Sequence, residues 1–184
     1  IRSTQPVIAF PHIQTVPDGW VIDAPFNELF TYYRPPEWVT ADRSPSTFVM
    51  IGMANSQALL DALLDTLTQT ETQHVSGDLS IIVAGGAADH YLTDVNQDGV
   101  ESILEFVVTE TQNDGLDIAD SSMTEIDGMT AGYVITRNSD YETAVLIVEV
   151  APEFYVLLNG MSSPGEIEDA TQIMWQIART VRVN

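Results

Sequence analysis

Asp94-Val95-Asn96-Gln97-Asp98-Gly99-Val100-Glu101-Ser102-Ile103-Leu104-Glu105 is the stretch that decides how the middle of this chain is built. It meets the pattern D-x-[DN]-x-[DN]-G-x5-E at every specified position, and that pattern is a calcium loop. Calcium is a hard cation that gathers oxygen ligands at about 2.3–2.6 Å in flexible geometry. Asp94, Asn96 and Asp98 turn alternate side-chain oxygens toward one point. Gly99 allows the sharp turn, Val100 offers its carbonyl, and Glu105 closes the site with two oxygens. Ser102 reaches the ion through its hydroxyl or a water, and Glu101 is a reserve ligand. A plain acidic turn is the competing account, because Asn, Asp and Gly all favour turn geometry.

The flanks settle which structure carries the loop. Residues 88–93 and 103–109 are short runs containing aromatic and β-branched residues, which predicts strands and a β-hairpin around the loop. The helix–loop–helix form of this motif puts an aliphatic residue where this chain has Glu101, and the chain contains no second loop to pair with it.

Outward from there, the periodicity alternates between strands and two helices. Leu59, Leu60, Leu63, Leu64 and Leu67 recur at helical spacing after a cap at Asn55 or Ser56, predicting a helix over about 56–70. Ser163-Pro164-Gly165-Glu166 reads as a capping box with proline at the first helical position. It opens a helix over about 164–179 whose buried stripe is Ile167, Ala170, Ile173, Met174, Ile177 and Ala178. Strands are predicted near 21–25, 30–39, 47–53, 79–83, 123–128, 132–137, 141–150, 154–158 and 180–183. Gly85-Gly86 reads as a bulge or turn. The expectation is an α+β domain over 20–184, one antiparallel sheet flanked by helices. Residues 1–19 form an extended N-terminal arm, because Pro6, Pro11 and Pro17 exclude a helix there; within it, 7–10 is a candidate short strand.

Charge bounds the function. The 184 residues carry 27 Asp plus Glu against six Arg and no Lys, a net charge of −21. Such a surface repels nucleic acid and anionic lipid, which bind through Lys and Arg. It attracts divalent cations and basic protein partners; a solubility role is the plainer alternative. Both favour an extracytoplasmic location. No run of about 18 apolar residues is present, so no transmembrane helix is expected. The start at Ile1 is expected to reflect processing or trimming. Cysteine is absent, which removes disulfides, thiolate metal sites and cysteine nucleophiles.

Three segments resemble the PsbP-like superfamily, which comprises the extrinsic PsbP protein of photosystem II and bacterial relatives such as LpqN-type lipoproteins. Tyr33-Arg34-Pro35-Pro36-Glu37-Trp38 is similar to the family's "yPegW" segment, with one extra proline. Ile126-Asp127-Gly128-Met129-Thr130-Ala131 is similar to its "idG.pa" turn. Phe154-Tyr155-Val156-Leu157, followed by 166–183, is similar to its "yvl … il.S.rv" ending. The resemblance implies an α/β/α sandwich around a central antiparallel sheet, used as a non-enzymatic binding or assembly module. It carries no catalytic residues across.

Motifs for catalysis are missing. There is no G-x-S-x-G elbow, no H-E-x-x-H and no phosphate loop. His12, His74 and His90 are scattered, and only His90, expected on a partly exposed strand, has a neighbouring acid, Asp89. The leading expectation is therefore a non-enzymatic accessory or assembly module that binds a structural calcium ion and docks on a partner protein. The alternatives are a filament or layer subunit that uses its arm between subunits, and a metal-dependent hydrolase hidden among the acids.

Overall fold

The computed structural model describes residues 16–66, 75–91 and 99–184. In chain order the elements are β1 (Val21–Asp23), β2 (Phe30–Arg34), β3 (Val39–Asp42), β4 (Val49–Ala54) and α1 (Gln57–Thr66). There follow β5 (Leu79–Ala87), α2 (Ala88–Tyr91), α3 (Gly99–Asn113), β6 (Ile118–Ile126), β7 (Met129–Arg137) and β8 (Glu142–Ala151). β9 (Phe154–Ser162), α4 (Ile167–Thr180) and β10 (Arg182–Val183) complete the described chain.

Seven strands form one antiparallel sheet in the order β3-β4-β5-β9-β8-β7-β6, and β1-β2-β10 form a smaller one. Local chemistry makes the hairpins of the larger sheet. Asp127 and Gly128 both sit at positive φ, 50° and 84°, the conformation a tight two-residue hairpin loop requires. At the next turn the Asn138 side chain accepts hydrogen bonds from the backbone N–H groups of Asp140 and Tyr141, each at 2.8 Å. β9 then returns past its hairpin partner β8 and pairs with β5 as well, closing the sheet across the chain.

Alternation along the strands divides the core in two. Ile51, Met53, Ile81, Val83, Leu146, Val148, Val156 and Leu158 face α4 and the small sheet, meeting Phe30, Tyr32, Ile167, Met174 and Ile177. Val134, Ile147 and Tyr155 face the opposite way, under Val100, Ile103 and Leu104 of α3. Leu59, Leu60 and Leu63 of α1 cover Ala54 and Ile82 on that side. This is the expected helix–sheet–helix sandwich, with α4 on one face and α1 and α3 on the other.

Four expectations need correction. Residues 103–109 are helical, within α3, because Val100, Ile103, Leu104, Val107 and Val108 recur at three- and four-residue spacing and so make one buried stripe. A short apolar run is ambiguous between helix and strand until its partners are known. Residues 88–91 are the short helix α2, while 92 and 93 lie outside the described residues. Gly85 and Gly86 make neither bulge nor turn: both lie in unbroken register with β9, and Gly85 pairs with β4 as well. Finally, α4 starts at Ile167, three residues later than the capping box implied. Gly165 takes φ 85°, which no right-handed helix admits.

A different set of contacts opens α4. The carboxylate of buried Glu142 on β8 accepts the Ile167 N–H at 3.3 Å. Glu166 instead reaches back, accepting hydrogen bonds from Ser163 Oγ at 2.6 Å, Ser76 Oγ at 2.6 Å and the Gly77 N–H at 2.7 Å. These donors, Ser163 foremost, hold its carboxyl below the ordinary carboxylate value of 4.5.

Two predictions follow from these contacts. A Cβ at Gly85 would lie 2.9 Å from both the Tyr155 carbonyl and Val156 Cγ2, so Gly85→Ala is expected to cost about 1–3 kcal/mol in urea denaturation. An unchanged midpoint would refute the close approach. The depressed Glu166 carboxyl contributes stability above its unfolded pKa that is lost as pH falls through and below 4.5. Glu166→Gln should therefore be less stable than the parent at neutral pH, with the gap closing in acid. A gap that stays constant down the acid limb would remove Glu166 as its source.

Candidate functional site

Asp94, Asn96 and Asp98 lie outside the described residues, so the loop is seen only from its exit. Gly99 takes φ 88°, the left-handed turn the motif asks of its glycine. α3 begins there, and the expected hairpin gives way to helical flanks, α2 before the loop and α3 after it. The Val100 side chain is buried, and with Leu104 it packs where a Cβ on Gly132 of β7 would sit, at 3.3 and 3.2 Å. Glu101 and Glu105 are exposed and one helical turn apart, so they share a face; Ser102 is half-buried between them. The described part of the set thus offers two carboxylates and a hydroxyl on the first turns of a helix. Among the described residues no group of three or more His, Asp or Glu is placed to hold a metal ion. His12 and His74 lie outside the described residues, and the backbone of His90 is in α2 rather than a strand.

The arginines are largely committed within the fold. Arg137 pairs with Glu168, and its Nε is 3.7 Å from Glu142; Arg179 Nε is 3.5 Å from Asp127. Arg34 is the most enclosed of these. Its Nε donates to Asp23 Oδ2 at 2.8 Å, and its Nη1 to the Trp38 and Pro35 carbonyls at 2.7 and 3.2 Å. Tyr32 donates its hydroxyl to the same Asp23 oxygen at 3.2 Å. Burial, with the Asp23 carboxylate behind it, pushes the Tyr32 phenol well above its ordinary value.

One shallow hollow of about 240 Å³ lies between the β6–β7 and β8–β9 turns, lined by Gly128, Met129, Thr130, Glu149, Val150, Ala151 and Pro152. Glu149 is its sole ionisable group, and it accepts the Glu153 N–H at 3.2 Å. One carboxylate without a partner base, nucleophile or oxyanion donor offers no acid–base pair.

Comparison with known proteins supports the fold. No family model and no curated protein matches the sequence. Among solved structures, the Ran-binding protein Mog1p of Saccharomyces cerevisiae superposes with a TM-score of 0.55 at 13% identity, over 89% of this chain and 95% of that one. CyanoP, the cyanobacterial PsbP of Synechocystis sp. PCC 6803, gives 0.50 at 11% identity, over 98% of this chain and 100% of that one. LpqN, involved in cell envelope biogenesis of Mycobacterium tuberculosis, gives 0.49 at 16% identity, over 90% and 84%. The fold is PsbP-like.

Within the PsbP-like frame the quoted motifs are architectural. The "yPegW" segment carries the end of β2 into β3 and supplies Arg34 and buried Trp38. The "idG.pa" turn is the tight loop between β6 and β7, and the "yvl" run opens β9. Sequence reasoning missed the first half of β6, because Asp120, Ser121 and Ser122 have the composition of a loop.

Lysine cannot hold Asp23 and two carbonyls in the planar fork that Arg34 uses. Arg34→Lys is expected to cost about 1–3 kcal/mol, read as a lowered thermal midpoint. An unaltered midpoint would show the cluster to be incidental.

Proposed function

We propose that this chain is a non-enzymatic, extracytoplasmic accessory module that binds a structural calcium ion and docks on a basic partner protein. The observation that carries the proposal is its charge: −21 overall, with no lysine and with Arg34, Arg137 and Arg179 paired to acids of the same chain. The surface is left with an acidic excess that selects cationic partners. The scaffold supports a docking role, since Mog1p, of the same fold, is a Ran-binding protein. Among the described residues no helix is long and apolar enough to cross a membrane.

Calcium is assigned to Asp94, Asn96 and Asp98 with Glu105, the Val100 carbonyl and Ser102, with Glu101 as a reserve ligand. Val100 lies in the first turn of α3, so its carbonyl serves the ion as a second acceptor interaction beside its helical hydrogen bond. Clustered carboxylates repel one another, and calcium converts that repulsion into attraction. At a hundredfold excess over Kd, calcium should raise stability by about 2.7 kcal/mol. Magnesium should substitute poorly, because it demands shorter, near-octahedral geometry and keeps its waters. Asp98→Ala should abolish the calcium-dependent rise in melting temperature and leave the calcium-free protein little changed. A melting temperature indifferent to calcium and EDTA would reduce the loop to an acidic turn.

Docking is tested separately by isolating a complex from the native source and titrating salt. The Debye length falls from ~10 Å at 0.1 M to ~3 Å at 1 M, so an electrostatic complex should dissociate over that range. A complex indifferent to salt would replace charge with apolar contact, and the absence of any complex would leave the acidity as a solubility device.

A further inference from the structure

We propose that the free edge of β6 is the docking site for that partner, occupied by an extended Lys- or Arg-bearing segment that adds a strand to the seven-stranded sheet. This rests on the docking function proposed above and names the surface that would perform it.

The geometry starts from the β6–β7 turn. Its two-residue loop makes Ile126 and Met129 a hydrogen-bonded pair. Antiparallel ladders alternate, so Thr124 and Ser122 also spend their backbone groups on β7. Ser121, Met123 and Glu125 then point their N–H and C=O groups away from β7. β6 is the last strand of the sheet, and among the described residues nothing pairs with that side. The register with β7 is regular from Asp120 to Ile126 and breaks only at the bulge before Asp120, so the edge is straight over three outward-facing residues. All five residues from Ala119 to Met123 are exposed, with Met123 at 40%. β3, at the opposite end of the sheet, spans only Val39–Asp42 and is half-buried throughout.

Unprotected edges invite any strand, and charged residues on them restrict the choice. Asp120 and Glu125 bracket the uncharged run Ser121-Ser122-Met123-Thr124. α3 packs over β6, and Met123 lies against Gly132 together with Val100 and Leu104, the immediate neighbours of exposed Glu101 and Glu105. A second copy brings the same acids and a charge of −21, so β6-to-β6 pairing sets like charge against like. Side chains of an added strand alternate between faces. A Lys or Arg row on the α3 face meets Glu125, and a row on the other face meets Asp120, which also accepts the Tyr133 hydroxyl at 2.9 Å. Either way the backbone satisfies Ser121, Met123 and Glu125.

The test uses the whole chain and a fluorescein-labelled peptide alternating lysine and valine. Binding is expected, with slowed amide exchange at Ser121, Met123 and Glu125. Ser121→Pro removes an outward N–H and leaves the β7 ladder intact, and it should weaken binding by about tenfold or more. Should that variant unfold, the double change Asp120→Arg and Glu125→Arg keeps the backbone and should weaken binding at least as much. Absence of peptide binding overturns the edge site. So does equal binding by Ser121→Pro, or equal binding of a peptide with proline in place of valine, since charge alone would then account for it. A native complex that forms undiminished with both variants also overturns the edge while leaving the docking function intact.

Discussion

The pairing of β9 with both β5 and β8 is the constraint on which the rest of the structure depends. β9 is a central strand and is covered on both faces: Val156 and Leu158 lie under α4, and Tyr155 and Leu157 on the side of α3. Its partner β5 precedes it by about seventy residues, so the sheet cannot close until α3 and three further strands have been made. The approach is close as well as distant in sequence. Gly85 on β5 leaves no room beside the Tyr155 carbonyl, and Gly160 sits directly under Met174 of α4. The small sheet is fastened through the same helix. Thr180 at the end of α4 accepts the Tyr33 N–H at 2.9 Å, and the chain then runs into β10 to pair with β2.

How much of this was legible in the sequence depended on how local each signal was. The leucine stripe of α1 and the apolar stripe of α4 are periodic over several turns and were readable without partners. The β6–β7 turn was readable through the resemblance of residues 126–131 to the "idG.pa" turn, whereas the strand expected over 123–128 ran through Asp127 and Gly128, which form the loop. α3 was not. Its apolar run is rich in valine and isoleucine, and only the presence of Gly132 and Tyr155 beneath it, from strands far along the chain, makes the helix the better burial. The capping box misled for a related reason. Ser163 and Glu166 do bond to each other, but Glu142 from β8 caps the helix, and Gly165 holds the motif outside it. Gly85-Gly86 looked like punctuation because a lone sequence does not display the strands on either side.

For the candidate site, Glu101, Ser102 and Glu105 were legible as residues, while the helix that carries them was not. The edge of β6 was hidden for the opposite reason to α3. Its first half is polar, and a polar strand at a sheet edge has the composition of a loop. What distinguishes it is pairing on one side only, which is a property of the sheet and not of the segment.

The acidic excess gains its meaning from where the fold puts it. Glu142 is buried and is answered by a backbone N–H and by Arg137; Asp23 is answered by Arg34 and Tyr32. The acids inside the structure are thus satisfied by the structure. Those on α3 and β6 face water, where each further negative charge raises the cost of keeping the others together. The two proposed cationic partners, a metal ion and a basic strand, would relieve that cost, and α3 links the places proposed for them. Its first residue leaves the acidic loop, and its first turns close on Gly132 beside Met123. An ion bound at the loop would fix the start of α3, and with it the wall of the β6 edge. Neutralising the loop would also reduce the attraction the edge exerts on a basic segment. The two events would therefore couple with opposite signs, ordering favouring strand addition and neutralisation opposing it. Raising the salt toward 1 M shortens the Debye length to ~3 Å and would weaken the electrostatic term while leaving the ordering term.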